Sequence, residues 1–136
     1  MQVLIEQAGF NYNPPDVIPN SKLSLQLAEF ARDEGSFDEV HDALFRAHWS
    51  EHLDIGNSDV LTEIAAKAGL DPGQVQKVFL EGRYEDRINL TTQSAYHLGS
   101  GGVPVWLVDD RLVISGAQPH EVFDRSMSEL GHEPID

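Results

Sequence analysis

The residues whose types and spacing point most clearly to a chemical role lie near the C-terminal end, in the apolar run Val103–Val108. Pro104 lacks an N–H, so this strand tolerates it only near its start or at an edge. A second apolar run, Leu112–Ser115, follows a pair of aspartates. Because Asp109 and Asp110 tolerate the positive φ of a tight turn, the pattern predicts a β-hairpin rather than a calcium site.

A polar corner follows the hairpin and precedes a helix that Pro119 opens. It holds Ser115, Gly116 and Gln118. The free N–H groups and the dipole of a helix start favour an anion there. The same groups would also serve simply to cap the last helix, and the sequence leaves both interpretations open.

Trp106 is the largest side chain of the first predicted strand. Alternation places it on the same face as Pro104, with Val105 and Leu107 on the other. Since an indole ring buries a large apolar area, we expect Trp106 in a core or an interface rather than under a ligand.

Histidines offer a possible metal site on one predicted helix. His48 and His52 are four residues apart, Glu51 and Asp54 are nearby, and His41 lies two turns earlier. This spacing could bring two imidazoles to one divalent metal. A pair without a third fixed ligand is more typical of a solvated helix face, so we predict no metal.

Composition excludes several classes of function. The 136 residues carry a formal charge of −14 and no cysteine. Without clustered lysine and arginine, we expect neither nucleic acid nor an anionic membrane surface as a partner. No apolar run approaches the roughly 20 residues of a membrane span. The first eight residues lack the basic start of a signal peptide, which predicts a cytoplasmic location.

Helical periodicity accounts for the rest of the chain. Starts are predicted at Asn20 or Ser21, at a capping box of Ser36 and Glu39, at Asn57 or Ser58, at Asp71-Pro72, at Tyr84 and at Pro119. A further helix end is predicted over 1–9, and a glycine-rich connection over 99–102. The length favours a single domain, 1–136, with a helical part over 1–100 and the hairpin and last helix over 101–136.

Several segments, in this order, resemble the DsbA-like thioredoxin-fold family. They are Ile18–Ser21, Leu27–Arg32, His41–Ala47, Asp54–Gly56, Val103-Pro104 and Ile114–Gln118. The chain is most similar to the FrnE-like branch, which is related to 2-hydroxychromene-2-carboxylate isomerases. The resemblance implies an α/β, thioredoxin-like fold with a mostly helical insert, a C-terminal β-hairpin and helix, and a truncated sheet.

The resemblance also implies roles for individual residues. Pro104 would follow a cis peptide bond, and the backbone of Val103 would bind an extended peptide or thiol substrate. In glutathione-using relatives, the corner of Ser115, Gly116 and Gln118 holds a carboxylate, so glutathione is an open alternative to the absence of any cofactor.

Family members begin with a strand, a Cys-x-x-Cys turn, a helix and a strand, and the resemblance places Met1 after all of these. Thiol–disulfide exchange needs a thiolate, so we predict no catalytic residue here. The expected function is a non-redox binding or interaction module. The alternative is disulfide oxidoreductase, isomerase or glutathione-dependent isomerase activity, which would need a missing N-terminal segment or a partner chain. A fragment without independent function also stays open.

A truncated sheet would leave the strand holding Val105, Trp106 and Leu107 with an unpaired edge. Unpaired strand edges promote association unless they are covered. We therefore predict a homodimer in which two hairpins pair across a two-fold axis and form a four-stranded sheet.

Overall fold

Five helices occupy most of residues 18–97 in this computed structural model, which describes residues 18–97 and 103–132. They are α1 (Lys22–Asp33), α2 (Phe37–Trp49), α3 (Ser58–Lys67), α4 (Pro72–Glu81) and α5 (Glu85–His97). The helix end predicted over 1–9 and the connection predicted over 99–102 lie outside the described residues.

Two helix starts follow the local sequence signals closely. The Asn57 side chain accepts hydrogen bonds from the N–H groups of Asp59 and Val60. The Asp71 carboxylate accepts one from the Gln74 N–H at 2.8 Å, and Pro72 takes the first helical position. Both predicted caps are confirmed, because a cap depends on contacts within one turn.

The capping box predicted at Ser36 and Glu39 is wrong. Ser36 does precede α2, but its side chain makes no capping hydrogen bond. Its backbone has φ −113° and ψ 25°, rather than the extended conformation that points an N-cap side chain at the helix. The N–H of Ser36 instead donates to the carbonyl of Ala31 at 2.9 Å and closes the turn after α1.

The core of the first part of the chain lies between α1, α2, α3 and α4, and α1 packs against the other three. Each helix contributes an apolar stripe at helical spacing. The fully buried members are Leu27, Ala31, Val40, Leu61, Ala65, Val75 and Val78. These residues form the inward faces of the four helices.

Helix α5 differs from this pattern. The spacing of Ile88 and Ala95 predicts an amphipathic helix, and the helix is present, but none of its residues is fully buried. Ile88 is partly buried against the core, and Tyr84, just before the helix, is 6% exposed. The first turn thus anchors α5, while Leu90 and Tyr96 are exposed.

The later part of the chain contains a hairpin and a helix. Strand β1 (Val105–Val108) pairs antiparallel with β2 (Leu112–Ser115), and α6 (His120–Leu130) follows. Asp109 and Asp110 have φ of 53° and 54°, which confirms the predicted turn. In α6, Ser126 is buried and Met127 is 39% exposed.

The chain separates into two compact units, Met1–Ile88 and Asn89–Asp136, and the division falls within α5. The single domain divided at residue 100 stays a prediction. No helix among the described residues is long and apolar enough to cross a membrane.

Candidate functional site

The candidate site begins at the residues that lead into β1. The peptide bond between Val103 and Pro104 is cis. Val103 is 92% exposed, and its main-chain groups make no hydrogen bond within the described residues. The carbonyl of Pro104 accepts a 2.8 Å hydrogen bond from the N–H of Gly116. The hairpin therefore holds Pro104 in place and leaves Val103 open to solvent.

The hydrogen-bond pattern of the hairpin shows which groups β1 leaves unpaired. Bonded and non-bonded pairs alternate along an antiparallel ladder. Since Pro104 bonds to Gly116, the register makes Trp106 the next residue bonded across the hairpin, opposite Ile114. The main-chain groups of Val105 and Leu107 consequently point away from β2. Within the described ranges no third strand pairs with this sheet, so these groups form a free edge.

The two faces of the hairpin differ in their surroundings. Trp106 lies opposite Ile114, which is 5% exposed. The Trp106 ring meets the Phe123 ring of α6 edge to face, with 5.6 Å between the centroids. On the other face Leu107 lies opposite Val113, and the two are 43% and 40% exposed. Trp106 thus contacts the last helix through one ring edge but stays 50% exposed, and the apolar pair on the opposite face also meets solvent.

The corner after β2 satisfies much of its own hydrogen bonding. Gly116 has φ +82°, a left-handed conformation that suits glycine, and its N–H is taken by Pro104. The Gln118 side-chain amide donates to the carbonyl of Ser115 at 2.7 Å. These donors shape the turn into α6, and Glu121 adds a negative charge to the first turn of that helix. A carboxylate ligand would meet that charge.

The described residues do not assemble the histidine site that the spacing of His48 and His52 left possible. Among residues 18–97 and 103–132, no group of three His, Asp or Glu side chains could hold a metal ion. His41 stacks instead between aromatic rings, and the His48 ring packs edge to face on Trp49. The Asp54 carboxylate accepts the N–H of Gly56 at 2.8 Å.

One contact of the second unit escaped sequence analysis. Nε2 of His132 lies 2.6 Å from Oδ2 of Asp109, which ties the residue after the end of α6 to the hairpin turn. The two residues are 23 positions apart, and no local pattern marks the pair. Only the packing of α6 beside the hairpin brings them together.

A helical part, a hairpin entered through a cis proline and a closing helix define a thioredoxin-like fold of the DsbA type. The sequence profile of the DSBA-like thioredoxin domain family matches residues 1–128. The chain belongs to this family. The family assignment and the fold class inferred from sequence are therefore confirmed, whereas completion of the sheet by dimerisation remains a prediction.

Two known proteins are similar to this chain. The uncharacterized protein YwbO of Bacillus subtilis (strain 168) is 28% identical over 132 residues, which are 95% of this chain and 66% of YwbO. The crystal structure of a probable DsbA oxidoreductase from Streptomyces coelicolor superposes with a TM-score of 0.79 at 26% identity. That match covers 99% of this chain and 60% of the Streptomyces chain. The chain thus spans 66% of the length of YwbO and 60% of that of the Streptomyces chain, less than two thirds in both cases.

Proposed function

We propose that this chain is a non-redox binding module of the DsbA-like family that takes an extended backbone segment onto β1. The free edge carries the proposal, since the N–H and C=O groups of Val105 and Leu107 point away from β2. An added strand would satisfy these groups with main-chain hydrogen bonds. Val103, which is 92% exposed, comes just before this edge in the sequence.

The chemistry of the side chains supports binding rather than exchange. Thiol–disulfide exchange requires a thiolate that attacks a sulfur atom. This sequence contains no cysteine, and neither hydroxyl nor imidazole groups replace a redox-active sulfur. Oxidoreductase activity of the family type would require a thiol from another segment or chain.

A second copy of this chain is the occupant we propose for the edge. Two β1 strands paired across a two-fold axis would form a four-stranded sheet. The exposed Leu107 and Val113 would then continue as one apolar face across the seam. An extended peptide from a client protein could use the same edge. The FrnE-like branch and a cytoplasmic location belong to this proposal as well.

A proline substitution tests the edge directly. Leu107→Pro removes an N–H that points outward, so the ladder between β1 and β2 keeps its bonds. We expect light scattering at micromolar concentration to show a dimer for the natural chain and a monomer for this variant. Val113→Ala is the matched control, because it reduces the same apolar face without touching the edge, and it should remain dimeric.

Two results would contradict the proposal. One is a monomeric natural chain that also binds no extended peptide; the other is a Leu107→Pro variant that dimerises as before. Circular dichroism of the variant should match that of the natural chain, which shows that a loss of pairing is not a loss of folding.

The enzyme alternative has its own tests. The Gly116 N–H and the Gln118 side-chain amide already donate hydrogen bonds within the turn. We therefore expect calorimetry to show weak or no binding of glutathione. In an insulin-reduction assay we expect no turnover by the purified chain. Turnover in that assay would overturn the non-redox assignment.

A further inference from the structure

Helix α2 carries four aromatic side chains spaced four residues apart. Phe37, His41, Phe45 and Trp49 together form what we call the aromatic stripe. Residues at this spacing lie above one another on a helix. The core face of α2 is formed by other residues, namely Val40, Leu44 and Ala47. The stripe is therefore additional to the side chains that hold the helix in the bundle.

Ring contacts order the first part of the stripe. The Phe37 and His41 centroids are 5.2 Å apart, and those of His41 and Phe45 are 4.7 Å apart. The Arg32 guanidinium sits 3.9 Å from the centroid of Phe37 and covers that end. Rings that already contact one another lose less side-chain freedom on binding than isolated ones.

The other end of the stripe is open. Phe45 is 55% exposed and Trp49 is 48% exposed, although both are among the largest apolar side chains of the chain. Apolar area that clusters on one face marks an interaction surface more often than scattered exposed residues do. Trp in particular is enriched at the centres of interfaces.

Charges beside the stripe indicate the kind of partner. Asp38, Glu39 and Asp42 are exposed on α2, against two basic residues, Arg46 on the same helix and Arg32 at the Phe37 end. The chain as a whole carries −14. A second copy would bring the same acidic border against itself, whereas a basic partner would gain from it.

We propose that the aromatic stripe docks a cationic amphipathic helix of another protein. From Phe37 to Trp49 the stripe rises about 18 Å at 1.5 Å per residue, which matches about three turns of a partner helix. Apolar side chains of that helix would pack on the rings, and flanking lysines or arginines would face Asp38 and Asp42. This surface lies in the first unit and shares no residue with the β1 edge proposed above.

The probe is a fluorescein-labelled 14-residue peptide of leucine and lysine, with leucines at three- and four-residue spacing. We expect saturable binding to the full chain by fluorescence anisotropy. The double variant Phe45→Ala/Trp49→Ala should weaken binding at least tenfold. Leu80→Ala is the matched control, since Leu80 is 87% exposed on α4, and it should change affinity less than twofold.

Two further comparisons vary the order of residues in the peptide and the charge of α2. A scrambled peptide of the same composition should bind at least tenfold more weakly, and Asp38→Lys/Asp42→Lys should reduce both the affinity and its salt dependence. Leu107→Pro should leave peptide binding unchanged, which separates this surface from the β1 edge.

Three outcomes would overturn the proposal. Equal affinity for the scrambled peptide would show attraction by charge alone. Unchanged affinity of the Phe45→Ala/Trp49→Ala variant would place binding elsewhere. Self-association abolished by that variant would identify a second copy as the occupant instead.

Discussion

The hydroxyl of Tyr84 donates a 2.9 Å hydrogen bond to Oδ2 of Asp33, although 51 positions separate the two residues. Arg87, one turn further along α5, binds the same carboxylate through Nη1 at 2.9 Å and also reaches Glu29 at 3.0 Å. These contacts join the start of α5 to α1. The Arg87 hydrogen bond, followed by that of Tyr84, lowers the pKa of Asp33, and burial raises the pKa of Tyr84.

Loss of the Tyr84 hydroxyl should weaken this junction. We expect Tyr84→Phe to lower the free energy of unfolding by about 1 kcal/mol, the usual worth of one hydrogen bond. Urea denaturation followed by circular dichroism measures the change. Tyr96→Phe removes the same hydroxyl from an exposed position of α5 and should have no measurable effect. Equal effects of the two substitutions would contradict the role of the Tyr84 bond.

Protonation of Asp33 in acid should weaken the contacts between the start of α5 and α1. Because the folded-state pKa of Asp33 lies below its ordinary value of 3.8, ionised Asp33 stabilises the folded chain above that value. This contribution is lost as the pH falls through the lowered folded-state pKa. We therefore expect the stability difference between the natural chain and Asp33→Asn to be constant near neutral pH and to shrink below about pH 4. A difference that persists unchanged in acid would contradict this assignment.

The core of the helical bundle should respond strongly to a cavity. Leu61 is completely buried, whereas Leu80 is 87% exposed. We expect Leu61→Ala to cost about 3 kcal/mol, through lost burial and the cavity left behind. Leu80→Ala should stay within about 0.5 kcal/mol of the natural chain. Thermal denaturation compares the pair, and similar melting temperatures for the two variants would disprove the packing described for α3.

Asn57 and Ser36 both precede a helix, but their substitution should affect stability differently. Asn57 accepts two N–H groups at the start of α3, while the Ser36 side chain caps nothing. Asn57→Ala should therefore destabilise the chain by about 1 kcal/mol. Ser36→Ala should be close to neutral. A larger loss at Ser36 than at Asn57 in urea denaturation would reverse this interpretation.

Local signals predicted the features that depend on neighbouring residues. Asn57 and Asp71 correctly predict helix starts because a cap forms within one turn. Asp109-Asp110 correctly predicts the hairpin because the turn needs residues that tolerate positive φ. The capping box predicted at Ser36 does not form, because the tight turn after α1 sets the backbone conformation of this residue. In each case the deciding contacts lie within a few residues.

Other features depend on packing that no local pattern encodes. The contacts of Arg87 and Tyr84 with α1, and that of His132 with Asp109, join residues far apart in the sequence. Gln26 is the clearest example. Its side chain is polar, which predicts an exposed position, yet the residue is only 1% exposed. The four-residue spacing of Phe37, His41, Phe45 and Trp49 can be read from the sequence, but the contacts between their rings and their exposure cannot.

The alternating ladder of the hairpin has a consequence for amide hydrogen exchange. Along β1 the N–H groups of Trp106 and Val108 are held by β2, while those of Val105 and Leu107 point outward. Deuterium should therefore label Val105 and Leu107 quickly and their two neighbours slowly in an isolated chain. Once anything pairs with the edge, the four amides should become protected alike. A comparison of amide exchange rates along β1 would thus show, residue by residue, whether a partner strand occupies its edge.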